Sequence, residues 1–150
     1  MKTILVAVDF SEVTSAVTKT ACELARHTGS RLVLLHVLPL VAAFETYGLG
    51  SEIIAETARA REKIRARDLA ALARRCTRRV QRVRTILHTG KVVPMIIEEA
   101  RKLRAAYLVL GSHGHGAVYD LLAGSVAQGV LRRAPCPVFV VPARPASHRA

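Results

Sequence analysis

Apolar residues cluster in five short runs, and longer stretches with mixed polar faces separate them. Thr3 to Val8 and Arg31 to Leu38 are almost continuously apolar and rich in β-branched residues or leucine, the signature of strands buried on both faces. Tyr107 to Leu110 reads as another buried strand, and Val138 to Val141, set between Pro137 and Pro142, as a short last one. Val80 to Leu87 instead alternates apolar with basic or polar residues, as an edge or half-exposed strand does. Between them, Ser11-Glu12 looks like the cap of a helix reaching Thr28, and Ser51 to about Thr77 is rich in Ala, Arg, Leu and Glu. Gly90 to Arg104 reads as a helix with Pro94 in its first turn, where proline is tolerated, and Val126 to Arg133 as a last helix. Residues 39–50, with Pro39, Gly48 and Gly50, read as a loop, and 143–150 as a frayed tail. The strict β-α alternation predicts one α/β domain over residues 1–142, with a mainly parallel sheet covered by helices on both faces.

Composition narrows the class. The 150 residues suffice for one core without disulfides, and although 51% are hydrophobic, no apolar run approaches a membrane span. The run after Lys2 is too short for a secretory leader and meets Asp9. Cys22, Cys76 and Cys136 are scattered and odd in number, which argues against a disulfide scaffold and for a reducing, cytoplasmic setting.

Candidate chemistry lies in residues 111–125, GSHGHGAVYDLLAGS. Gly111 and Gly114 follow the fourth apolar run, and Gly124-Ser125 opens the last helix. Glycine lets backbone N–H groups approach an anion, a helix start adds unpaired donors, and Ser125 adds a hydroxyl, so the arrangement suits a nucleotide phosphate. Ordinary turn glycines are the plainer alternative. Asp9 ends the first strand, where a carboxylate can accept hydrogen bonds from a ribose or an adenine amino group, or can cap a turn.

The complete spacing of Gly111, Gly114, Gly124 and Ser125, together with VAVDFS, LLHV, the Gly90 segment with Pro94, and PCPVFVVP, resembles the universal stress protein family from residue 3 to about 142. The resemblance implies a five-stranded open parallel sheet in the order 3-2-1-4-5, Rossmann-like, and a homodimer through Val138 to Val141. Members with the full glycine pattern resemble ATP binders. Carried onto this chain, Asp9 and the backbone of Ala7 and Val37 would border the adenosine. Gly111, Ser112, His113 and Gly114 would wrap ribose and phosphates, and Gly124, Ser125 and Val126 would hold the phosphate chain. Mg²⁺ can accompany the triphosphate as a counterion without a protein cage.

Catalysis is not expected. His113 and His115 fit phosphate contact, a metal or a plain polar loop, but two histidines make a poor zinc site. His-Gly-His after the fourth strand does not match the His-x-Gly-His that a nucleotidyltransferase carries after its first. Gly90-Lys91 is no P-loop, because Val92 stands where Ser or Thr is needed. Asp120 is the one carboxylate near the cradle, and it can equally cap the following helix. The expected role is a nucleotide-dependent stress regulator or sensor, with slow ATP hydrolysis left open.

Charge adds a second reading. Formal net charge is +12, and between Arg59 and Arg84 eleven Lys or Arg less Glu62 and Asp68 leave +9. A basic stripe attracts an acidic protein, nucleic acid or an anionic membrane, or is simply a solvated helix face. With aromatics at 4% and none in this segment, base stacking is not expected. The alternative function is therefore an interaction module docking through the basic helix, with the nucleotide incidental.

Overall fold

In a computed structural model, which describes residues 1–40, 51–113 and 123–143, the apolar runs become strands and the mixed stretches helices. Their order is β1 (Thr3–Ala7), α1 (Thr14–Thr28), β2 (Arg31–Pro39), α2 (Ser51–Thr77), β3 (Val83–Gly90), α3 (Val92–Lys102), β4 (Tyr107–Gly111), α4 (Ser125–Leu131) and β5 (Val138–Val141). The strands form one parallel sheet in the order β3-β2-β1-β4-β5, as the resemblance implied. Gly114, His115 and Asp120, most of the expected 39–50 loop, and the tail beyond Ala143 lie outside the described residues.

The strand period of two divides the core. Ile4, Val6, Leu32, Leu34 and Val109 face Val17, Ala21, Cys22 and Ala25 of α1 and Leu69 and Cys76 of α2. Leu5, Val33, Leu35, Leu108 and Leu110 face Ile96, Ile97 and Ala100 of α3 and Ala127 and Val130 of α4. Both faces are covered, so β1, β2 and β4 carry near-unbroken apolar sequence. Leu5 sits in register with both Val33 and Leu108, which fixes β1 as the central strand. Neighbours run outward from β1 in opposite directions, and this leaves a crevice beyond the C-terminal ends of β1 and β4.

Several boundaries differ from expectation. The edge strand β3 begins at Val83, not Val80. Val80 donates its amide to the Cys76 carbonyl at 3.0 Å and closes the end of α2. The strand then follows the long β2 ladder from Leu32↔Val83 to Pro39↔Gly90, so Gly90 ends a strand rather than opening α3. The helix α1 begins at Thr14 behind Val13, with no side-chain cap, because Ser11 is occupied in a turn built on Asp9. The last helix starts one residue early at Ser125 and stops at Leu131, ahead of the expected Arg133.

Candidate functional site

The crevice is a cavity of about 460 Å³, within the range typical of small-molecule sites. Of the residues expected there, Ala7, Asp9 and Val37 line one end. Gly111, Ser112 and His113 leave β4 beside Gly124, Ser125 and Val126 at the start of α4. Nine of the ten expected positions thus border one cavity, and the tenth, Gly114, is outside the described residues. Val37, Val92, Ile96 and Leu110 give the lining its apolar part, and hydroxyl, carboxylate and guanidinium groups its polar part. This combination suits a ligand with a flat apolar base and an anionic tail.

Asp9 organises the β1 exit. Its Oδ1 accepts the Ser11 backbone N–H at 3.0 Å and the Ser11 hydroxyl at 2.6 Å. The turn-capping role considered for it is therefore real, and it also orients the carboxylate at the cavity edge. Phe10 follows with φ 60°, a left-handed conformation costly for an aromatic residue. That turn lays the Phe10 ring edge-on to His36 at 4.9 Å and beneath the Arg65 guanidinium at 5.1 Å. His36 is 6% exposed and its Nδ1 lies 2.7 Å from the Val8 carbonyl oxygen. A carbonyl only accepts, so Nδ1 carries the proton. Burial pulls the imidazole below its ordinary pKa, against the opposing pull of that hydrogen bond, and favours the neutral ring.

The β4 exit is braced by Ser112. Its amide donates to the Val141 carbonyl at 2.8 Å, its hydroxyl accepts the Ala143 N–H at 3.0 Å, and its Oγ lies 3.0 Å from His113 Nδ1. The Ser112 carbonyl takes the Gly124 amide at 2.7 Å. Gly124 therefore spends its own N–H on the fold, and the first amides of α4, at Ser125 and Val126, are the ones that a helix start leaves without an intrahelical partner. What Gly124 contributes is room, since a β-carbon there would lie 3.3 Å from the Ser112 oxygen and 3.6 Å from His113 Cα. Gly111 is likewise constrained by packing: its strand backbone is ordinary, but Val13 fills the space a side chain would need.

Arg61 and Arg65 on α2 also line the cavity, and sequence reasoning placed neither there. Their four-residue spacing puts them on one helix face, but that alone does not distinguish a site from a solvated stripe. Arg65 is held over Phe10 and by Asp68 Oδ2 at 3.2 Å. Among the described residues, no three His, Cys, Asp or Glu side chains converge as a metal site, and no helix is long and apolar enough to cross a membrane.

Residues 1–142 match the model of the universal stress protein family. A Thermus aquaticus relative named for that family, "Universal stress protein in QAH/OAS sulfhydrylase 3'region", is 31% identical over 140 residues, covering 93% of this chain and 98% of its own. The crystal structure of a universal stress protein family member from Burkholderia pseudomallei is 29% identical with a TM-score of 0.69, covering 95% of this chain and 96% of that one. The universal stress protein from Archaeoglobus fulgidus, solved in complex with dAMP, shares the fold at a TM-score of 0.64 and 23% identity, covering 94% of this chain and 98% of that one. With its motifs, strand order and full-length family match in agreement, the chain belongs to the universal stress protein family.

Proposed function

We propose that this chain binds ATP in the crevice between β1 and β4 and acts as a dimeric, nucleotide-dependent stress regulator rather than an enzyme. The observation that carries the reading is the convergence of Asp9, Val37, Gly111, Ser112, His113, Gly124, Ser125 and Val126 on one cavity. In this reading the base lies against Val37 and Leu110, Asp9 accepts from ribose or the adenine amino group, and the Ser125 and Val126 amides meet phosphate. Arg61 and Arg65 add positive potential at the cleft, and Mg²⁺ rides with the triphosphate as its counterion. The dAMP complex of the Archaeoglobus relative supports an adenine nucleotide as the ligand class. A second copy pairs along β5, an edge strand whose Phe139 is 40% exposed.

Calorimetric titration with ATP, AMP and adenosine, beside native mass spectrometry, tests this reading. Saturable ATP binding by a dimer is expected, and Gly124→Trp, which fills the gap beside Ser112 and His113, abolishes it while the dimer persists. A wild-type protein that takes up no adenine nucleotide overturns the reading.

The exposed face of α2 favours a second reading, docking on an acidic protein partner. Ile64 stands 51% exposed between Lys63 and Arg65, so the cationic face also offers an apolar contact. Such docking weakens steeply between about 0.05 and 0.5 M salt.

A further inference from the structure

A second cavity, of about 590 Å³, is lined by Phe10 and by residues of α1 and α2, and both helices put a cysteine into its wall. Cys22 of α1 and Cys76 of α2 are far apart in sequence, yet they share one core cluster and are 2% and 3% exposed. Neither is disulfide-bonded, and the two thiols share one cavity wall as well as one core cluster. Lys19, Arg75, Arg78 and Arg79 line the same cavity, so the space leading to the sulfurs is strongly cationic. Glu12 and Asp68 are its carboxylates.

From this geometry we infer that Cys22 and Cys76 are a peroxide-responsive pair, closing reversibly into a disulfide that ties α1 to α2. The nucleotide reading is independent of it. Buried structural cysteines are ordinarily inert because nothing stabilises a thiolate. Here the neighbouring Cys76 thiol, opposed by burial and helped by Arg79, brings the Cys22 thiol down to about 7. The Cys22 sulfur and burial push Cys76 up. Arg79 favours the thiolate at both sulfurs, and Cys22 is taken as the attacking one.

The chemistry balances with hydrogen peroxide as oxidant. The Cys22 thiolate attacks one peroxide oxygen, the O–O bond breaks, and the departing hydroxide is protonated to water, leaving a sulfenic acid. The Cys76 sulfur then attacks the Cys22 sulfur, the S–O bond breaks, and the hydroxide leaves as water with the Cys76 proton. Two thiols lose two electrons and peroxide gains them. Cys136 lies outside this cavity among the core residues of the other sheet face, where burial raises its pKa, and takes no part.

The test is to treat the full chain with hydrogen peroxide, denature, alkylate and weigh it. A mass loss of about 2 Da is expected, with alkylatable thiols falling from three to one and dithiothreitol restoring all three. Tryptic mapping joins the peptide Thr20–Arg26 to Cys76–Arg78. Cys136→Ser leaves this linkage intact, and its oxidised form shows no free thiol. Three thiols surviving peroxide, over-oxidation of Cys22 without a cross-link, or a bond that joins two chains or involves Cys136 would each overturn the inference.

Discussion

A β-carbon on Gly111 would stand 2.6 Å from Cγ1 of Val13, so the exit of β4 and the entry of α1 are fitted to each other through a missing side chain. Gly111→Ala must push Val13 aside, and overpacking of this kind costs about 1–3 kcal/mol. Val13→Ala opens the space at the expense of buried apolar surface, about 1–2 kcal/mol. In urea unfolding the double variant is expected to be clearly more stable than the sum of the two single losses. Simple additivity would mean that the strand end shifts freely and the fit is unimportant.

Arg61 and Arg65 face the cavity from α2, where they raise its potential for anions. Reversing both to Glu is expected to weaken ATP about tenfold or more at low salt and to leave adenosine within about twofold. Comparing the two ligands by calorimetry separates charge from shape. Equal losses for both would place the arginines against the base, and no loss for either would assign them to the solvated face.

Much of this arrangement was legible in the sequence. The β1, β2 and β4 runs are unbroken because both of their faces are buried, and that same fact made them readable. The glycine spacing at 111 and 124 announced a turn-rich exit beside a helix start, which the crevice contains. The start of β3 was misplaced because its local alternation begins at Val80, while the ladder offered by β2 begins pairing at Val83. Ser11 does not cap α1, because its N–H and hydroxyl turn back onto Asp9 and the helix begins only at Thr14, behind Val13. The seating of Arg61 and Arg65 on the cleft, the Val13–Gly111 fit and the placing of Cys22 and Cys76 on one cavity wall are set by how helices lie on the sheet, and no local pattern encodes them.

The β5 edge makes the oligomeric state testable. Phe139 packs edge-on to Tyr107 at 5.7 Å yet keeps 40% of its surface exposed, on a strand with an open side. Phe139→Asp sets two like charges near each other in a pair formed along β5, and it is expected to shift native mass from dimer to monomer. Unchanged mass would move the dimer contact away from this strand.

Glu99 is 4% exposed on α3 and accepts from His88 Nε2 at 3.0 Å and Lys102 Nζ at 3.2 Å. Burial alone would raise its pKa, but the His88 and Lys102 hydrogen bonds outweigh it and lower the carboxyl below its ordinary value. An acid with a depressed folded pKa stabilises the native state above its unfolded value and loses that contribution as pH falls. Glu99→Gln is therefore expected to cost about 1–2 kcal/mol near neutrality and to flatten the acid limb below about pH 4.5. Parallel acid limbs in the two proteins would show that other carboxylates govern acid unfolding.

His36 produces a separate pH window. Val8 accepts from its Nδ1, Phe10 covers its ring edge, Arg65 opposes its protonation, and Asp9 and Asp68 favour it, with burial the largest influence and the net pKa lowered. Above the unfolded value of about 6.5 both states are neutral and His36 contributes no pH dependence. Below it the unfolded chain takes up a proton that the folded ring refuses, so stability falls with pH until the folded pKa is reached. The slope from this one group is at most about 1.4 kcal/mol per pH unit. His36→Asn keeps an N–H donor for the Val8 oxygen and removes the titration. Urea unfolding from about pH 7.5 to 5.5 should show a shallower loss in the variant. Identical slopes would mean that the wild-type ring charges as easily in the fold as outside it.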